Sequence, residues 1–548
     1  MDNIGKKESL TIEFKSDDPR LSDNDIVEVV VGFSNTEGGE LYVGVEDDGH
    51  ITGIHKDHKN PHSLGAVISN KTVPPVSVRI TIIGEVRPCV LVEVPKSSSI
   101  VMTSSGKILK RRLKFDGTPE TVPMHPQEVL SRLSNLNRLD YSAQPVLNAT
   151  CDDLDSSERN RLRKIISSNR GEGNLLDLSD KELDMALRLV TKVDDHYVPT
   201  VTGLLLIGKE NSIRTFLPTA EIAFQVIEGT DVRFNESFIK PLLSAFEMIE
   251  EYMKAWNPER EVQSGLFRIP ISEFDQRAFR EALVNAISHR DYTILNRVRF
   301  LINDEGLTIN SPGGFIEGVT IENLLTVDPH GRNPTLTDAL KRVGLAERTG
   351  RGIDRIYEGS LIYGRPWPDY TESNSTSVNL FIQRAAPDEA FTKMIYQEKN
   401  RLGRSLPINS LLILSVLKEE RRADIHRIAE LTHINEKKSK VALEQLSEAG
   451  LIEARGTGRG RTYMLSSKVY LKTSSLIKYE RQRDIDSLRQ APLILQLAEK
   501  QGFVTRKDAV ELLHLAEPQA YRVLKKLVEE DKLVLQGRGR GAKYLLKE

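Results

Sequence analysis

The chain has 548 residues, with 76 Lys plus Arg against 78 Asp plus Glu and a formal net charge of −2. At about 100–200 residues per domain, this length allows roughly three to five domains. The balanced charge excludes a global pull towards DNA or an anionic membrane, so nucleic-acid affinity has to come from local patches. Two cysteines, Cys89 and Cys151, exclude a disulfide framework and any four-cysteine metal cluster. The opening MDNIGKKESL holds no apolar core of signal-peptide length, and no run approaches about 18 apolar residues. No membrane span and a cytoplasmic location are therefore expected.

In chain order, LTIEFKS alternates as a strand, DNDIVEVVVGFSNT has helical periodicity, and ELYVGVEDDG reads as a strand ending in a turn. VRITIIG and CVLVEVPK form a predicted β-hairpin. These elements define a first region, 1–135. The polar stretch 136–155 reads as a linker. Residues 156–390 follow as an α/β region with predicted strands TGLLLIG, AEIAFQV and RVRFLIN.

Within it, REALVNAISHRDY repeats a polar side chain every four residues: Glu281, Asn285 and His289 share one helical face. Ala282, Leu283, Val284, Ala286 and Ile287 are free to bury the opposite face. A solvated surface more often uses Glu and Lys, so the stripe implies a ligand or a buried polar network. After it come RVRFLIND, GLTINSPGGFIEGVT and RNPTLTDALKRVGLAERTGRGIDRI. Helix, strand and glycine turn in this order resemble the divergent GHKL-type ATP-binding domains of bacterial regulators that also carry a Schlafen-like N-terminal domain. The resemblance implies ATP with Mg2+ (or Mn2+). Glu281 would orient the attacking water, Asn285 would ligate the metal, and Gly350 and Gly352 would hold phosphate with N–H groups at a helix start. Where that family has an Asp in a D-x-G-x-G box, this chain has Asn310-Ser311-Pro312-Gly313-Gly314. Asn310 can accept from the adenine amino group but cannot fix a water as a carboxylate does. Nucleotide binding with weak or absent ATPase activity is therefore expected.

Nearer the start, ESLTIEFKS places Glu8 and Glu13 around a strand start, and FSNTEGGELYVGVEDDGHITG runs from a helix end through glycines into a strand. Together these motifs resemble the Schlafen/AlbA-type domain over residues 6 to about 130. In Schlafen ribonucleases three carboxylates form a metal-dependent cleavage site, and the matching positions are Glu8, Glu13 and Asp47. Lys15 and the strip SSGKILKRRLK (Lys107, Lys110, Arg111, Arg112, Lys114) would contact a nucleic-acid backbone. Glu13 and Lys15 also alternate with Phe14, so they equally read as the wet face of a half-buried strand. His50 and His289 read as hydrogen-bonding residues, because no second His stands at ligand spacing.

The last part contains an internal repeat. LLILSVLKEERRADIHRIAELTHINEKKSKVALEQLSEAGLIEARGTGRGRTYML matches PLILQLAEKQGFVTRKDAVELLHLAEPQAYRVLKKLVEEDKLVLQGRGRGAKYLL element for element. Each copy offers three helices and a hairpin with a Gly/Arg-rich tip, the layout of a winged helix-turn-helix, over 405–470 and 485–548. Arg459 and Arg461 in one tip and Arg538 and Arg540 in the other would meet phosphate, behind Lys437, Lys438 and Lys440 or Tyr521, Arg522 and Lys525 on the third helices.

The expected fold class is multidomain α+β: a Schlafen/AlbA-like α/β domain, a GHKL-like α/β sandwich and two winged helices. Two functions stay open, both with nucleic acid (DNA and/or RNA) as partner and a homo-oligomer as the working form. One is an ATP-responsive DNA-binding transcriptional regulator. The other is a metal-dependent endonuclease in antiphage defence, gated by nucleotide. Only Glu8, Glu13 and Asp47 discriminate between them, because a pure binder has no need of three converging acids.

Overall fold

In a computed structural model of the chain, residues 3–136, 138–169, 171–264, 267–328, 330–347, 350–456, 458–466, 490–513, 517–537 and 542–547 are described. They divide into two compact units, residues 1–258, 276–356 and 368–384, and residues 259–275, 357–367 and 385–548.

The first unit opens with strand β1 (Ile12–Lys15), which lies parallel to β2 (Gly39–Val43). β2 pairs antiparallel with β4 (Cys89–Val94), and β4 with β3 (Arg79–Ile83), giving the order β1-β2-β4-β3. Ser22 starts helix α1 (Asp23–Ser34) by accepting from the Asp25 N–H. α1 and α2 (Pro61–Lys71) cover one face of the sheet, where Ile26, Val30, Phe33, Leu41, Val90 and Val92 are fully buried. Phe14, Tyr42, Val45, Ile51 and Cys89 form a second core on the other face. Alternation along each strand assigns these side chains to two faces, as the sequence pattern predicts. A hairpin of β5 (Leu109–Leu113) and β6 (Pro119–Pro123) leads into α3 (Pro126–Asn135).

The same unit holds a five-stranded sheet built from β7 (Ile222–Glu228), β8 (Asp231–Phe238), β9 (Val298–Ile302), β10 (Gly306–Pro312) and β11 (Ser377–Gln383), in the order β8-β7-β9-β10-β11. β7 and β9 are parallel and the other pairs antiparallel. The expected strands AEIAFQV and RVRFLIN are β7 and β9. TGLLLIG is not a strand. It forms the buried helix α4 (Val201–Ile207), capped by the Thr200 hydroxyl on the Gly203 N–H at 3.0 Å. A short run of apolar residues fits a buried strand and a buried helix equally, so periodicity could not separate them. A Cβ on Gly203 would stand 2.0 Å from the Leu189 carbonyl oxygen, which fixes how closely this helix approaches its neighbour.

Helices α5 (Leu242–Trp256), α6 (Gln276–Ser288), α7 (Pro334–Arg342) and α8 (Gly352–Leu361) follow. The stretch read as a linker is tied into this region. Asp140 accepts the Thr335 N–H at 2.9 Å, and the Ser142 hydroxyl accepts the Leu336 N–H at 3.1 Å, both at the start of α7.

In the second unit both repeat copies have the same elements. The first runs α9 (Ile408–Glu419), a short strand at Ala423–Asp424, α10 (Ile425–Thr432), α11 (Glu436–Glu448) and the hairpin β12 (Ile452–Arg455) with β13 (Thr462–Leu465). The second runs α12 (Gln490–Gln501), a short strand at Val504–Thr505, α13 (Arg506–Leu513), α14 (Glu517–Glu529) and β14 (Leu533–Gln536) with β15 (Lys543–Leu546). No helix among the described residues is long and apolar enough to cross a membrane.

Candidate functional site

The polar stripe of α6 faces a cavity of about 710 Å3. Glu281, Asn285 and His289 line it together with Ser311 on β10, Lys341 on α7, Gly313, Gly314, Gly350 and Gly352. Ala282, Leu283, Val284, Ala286 and Ile287 are all buried, but only Leu283 and Ile287 of these lie away from the cavity, while Ala282, Val284 and Ala286 line it beside the polar stripe. Glu281 is 7% exposed and accepts from Arg355 Nη1 at 2.9 Å, while the same guanidinium also pairs with Glu347. Burial raises the Glu281 carboxyl above its ordinary range, and the Arg355 charge opposes that rise. Asn285 has no side-chain hydrogen-bond partner among the described residues, so its amide is available to a ligand. A Cβ on Gly352 would come within 3.1 Å of Glu281 Oε2 and 3.7 Å of Asn285 Nδ2, so the start of α8 closes directly over both side chains. His289 is exposed at the cavity, with other groups of the domain packed around it. Crowding by its neighbours, then the charges of Arg332, His330 and Lys341, lower its pKa to about 4.

Beneath the glycine turn, Gly313 has φ +96°, and a Cβ there would stand 2.4 Å from Arg332 Nη1. Arg332 and Asp291 are each 1% exposed and form an ion pair at 2.9 Å, and Arg332 Nη2 donates to the Gly314 carbonyl at 2.7 Å. Asn333, fully buried, donates to the Ser288 and Arg290 carbonyls. The sequence reading passed over Arg332, Asp291, Arg355 and Lys341. The signal available was the crowding of charged residues around an apolar helix, which marks a site only once the fold buries them.

One expectation is corrected. Asn310 does not line the cavity. It alternates along β10 with Ile309 and Ser311, which do, so it lies on the opposite face of the sheet and donates to Asn379 Oδ1 at 2.6 Å. Its place as adenine acceptor is lost.

In the first domain, Glu8 Oε1 accepts the Phe14 N–H at 3.0 Å. Burial raises its carboxyl, and the charges of Glu13 and Asp47 add to that rise. Glu13 is 7% exposed and clamped between Lys15 Nζ at 2.5 Å and Arg111 Nη2 at 2.7 Å. Asp47 is exposed. Among the described residues no three acidic, His or Cys side chains are arranged to hold a metal ion, so the expected ligand set of Glu8, Glu13 and Asp47 is not assembled. The reason is local, because Glu13 is spent on an arginine and Glu8 on a backbone amide. Because Glu8 titrates higher folded than unfolded, its ionisation costs stability above its folded pKa and nothing well below the unfolded one. Glu8→Gln should therefore raise the melting temperature at pH 7, with the gain shrinking as pH falls through the carboxylate range. A gain that is constant with pH, or absent, removes this account.

The basic strip is also corrected. Arg111 is buried, stacks at 4.6 Å over the Phe33 ring, and donates to the Ser9 and Leu10 carbonyls at 2.8 and 3.1 Å. It cannot reach a phosphate. Lys110 pairs with Glu128 and Arg112 with Glu120. In the C-terminal copies Lys437, Lys438, Lys440, Arg461, Tyr521, Arg522 and Lys525 are exposed. The side chain of Arg459, and Arg538 and Arg540 altogether, lie outside the described residues.

Residues 8–115 match the family model described as "Schlafen, AlbA_2". Residues 296–381 match "Putative ATP-dependent DNA helicase recG C-terminal", and residues 131–223 a domain of unknown function, DUF8451. No curated protein matches. Among solved structures, the DIP2311 protein of Corynebacterium diphtheriae is similar at 20% identity and a TM-score of 0.51, covering 98% of this chain and 95% of that one, which shows a shared fold. The mRNA-binding domain of elongation factor SelB from E. coli, solved with SECIS RNA, matches at 15% identity and a TM-score of 0.14, over 26% of this chain and 98% of its own. The chain thus carries a Schlafen/AlbA_2 domain and, after it, a domain of the recG C-terminal type.

Proposed function

We propose that the chain is an ATP-responsive nucleic-acid-binding protein acting as a DNA-binding transcriptional regulator. The observation that carries this reading is the cavity over α6, where an unengaged Asn285 amide shares the lining with the glycines of two turns, Gly313 with Gly314 and Gly350 with Gly352. Asn285 fits Mg2+, which favours oxygen ligands and keeps its waters, and Gly350 and Gly352 fit phosphate at the start of α8. The metal would neutralise phosphate charge there. Glu281, held by Arg355, is poorly placed to act as a free base, in keeping with binding rather than turnover. The two C-terminal copies, read as winged helices, present exposed cations on α11 and α14 to DNA. A second copy of the chain would let them address a symmetric site.

Calorimetry with Mg-ATP tests the cavity. Wild type should bind, and Asn285→Ala should bind about tenfold more weakly or worse, the loss of one hydrogen bond or ligand to a charged group. Equal affinity, or no heat from either protein, sinks the assignment.

The second reading, a metal-dependent nuclease, has no assembled ligand set among the described residues behind it. Incubation with labelled tRNA, single-stranded DNA and duplex DNA, with and without Mn2+, decides it.

A further inference from the structure

The five-stranded sheet has a second face, opposite the cavity, that no element of the proposed nucleotide site uses. Along β9, Val298, Phe300 and Ile302 are buried inward, so Arg299 and Leu301 point outward. Arg299 stands opposite Asn310 in register, and Asn310 opposite Asn379. With Asn296, Arg297 and Thr308 they line a concavity of about 360 Å3 that contains no carboxylate.

Its side chains are ordered by one another. Arg299 Nε donates to Gln225 Oε1 at 2.5 Å, and Gln225 Nε2 to Asn235 Oδ1 at 2.7 Å. Asn310 Nδ2 donates to Asn379 Oδ1 at 2.6 Å, and Asn379 Nδ2 to the Glu372 carbonyl at 2.9 Å. Two capacities are left over. Both terminal nitrogens of Arg299 lack a partner among the described residues, and no carboxylate pairs with it. The Oδ1 atom of Asn310 accepts nothing. Arg297 stands 3.5 Å from Glu221 at the edge. A half-buried guanidinium without a counter-ion, in a recess walled by amides, is built for an anion that also offers hydrogen-bonding edges.

We propose that this outer sheet face is a second ligand site and that it takes a nucleotide unit of a single-stranded nucleic acid. Arg299 and Arg297 would meet the phosphodiester, and Asn310 the edge of an unpaired base. A single strand suits a recess in a sheet because its bases can be splayed onto it. Duplex base edges lie in grooves and need a protruding element to reach them. The inference rests on the reading of the chain as a nucleic-acid binder.

The test is fluorescence anisotropy on the full chain with a labelled mixed-sequence single strand and the same sequence as duplex, for wild type, Arg299→Gln and Asn310→Ala. Calorimetry with Mg-ATP runs alongside. Both variants should bind the single strand about tenfold more weakly. Arg299→Gln should also lower the salt slope by about 0.7, one phosphate contact on a single strand. Duplex affinity and Mg-ATP heat should not change. Equal single-strand affinity and slope in both variants, or a wild type that binds duplex alone, overturns this site and leaves the broader reading standing. A wild type that binds neither nucleic acid overturns both.

Discussion

Arg332→Ala should lower unfolding free energy by about 3–5 kcal/mol, read as a fall in the urea midpoint of the transition that includes the cavity domain. The substitution leaves Asp291, 1% exposed, without its cation. It also withdraws the donor from the Gly314 carbonyl and empties the space beneath Gly313. Removing one partner of a buried pair is costlier than removing both, because the survivor keeps its desolvation penalty with no Coulomb return. The double variant Arg332→Ala, Asp291→Ala should therefore lose less than the sum of the two single losses. Strict additivity would show that the pair is not coupled.

Arg111→Ala should cost a comparable 3–5 kcal/mol or so, whereas Arg112→Ala next to it should cost under about 1 kcal/mol. The two arginines differ only in which side of β5 they leave. Arg111 is buried against Phe33 and compensates Glu13, while Arg112 is 55% exposed and pairs with Glu120 in water. Denaturation of the two variants under the same conditions measures the contrast. Similar losses would mean that Glu13 finds another partner, with Lys15 as the obvious one at 2.5 Å.

That pair of residues also shows how far the sequence could be read. Elements whose pattern has one solution were legible: the alternation of LTIEFKS and ELYVGVEDDG, the α6 stripe, and the helix–helix–hairpin order of the repeat all recur in the structure. Where the pattern has two solutions, the sequence was silent. TGLLLIG is apolar in every register, and its reading as a strand gave way to a helix capped by Thr200. In LKRRL the side of the strand that faces the core depends on where Phe33 and Glu13 arrive from elsewhere in the chain. Asn310 failed for the same reason. The glycines after it line the cavity, but a one-residue step along a strand changes face. The acids Glu8, Glu13 and Asp47 were found as neighbours in charge, yet their motif spacing said nothing about the arginine that occupies Glu13.

Gly313, Gly314, Phe315, Ile316 and Val319 form one rim of the cavity, and Glu317 beside them is gripped by residues from nearer the start of the chain. Arg132 Nη1 holds its carboxylate at 3.0 Å and Lys96 stands at 3.5 Å. Arg132 Nη2 meanwhile holds the Ser97 carbonyl just past β4, and Ser131 on the same helix donates to Asp291. The rim is thus moored by α3 and, just past β4, by Lys96. Anything that pushes the rim outward stretches those moorings, and anything that distorts the end of β4 tugs the rim. Work done at one place is felt at the other in proportion to how differently a bound molecule favours the two positions of the rim. The Glu317 ion pairs are partly exposed to solvent, so raised ionic strength should weaken this mooring of the rim.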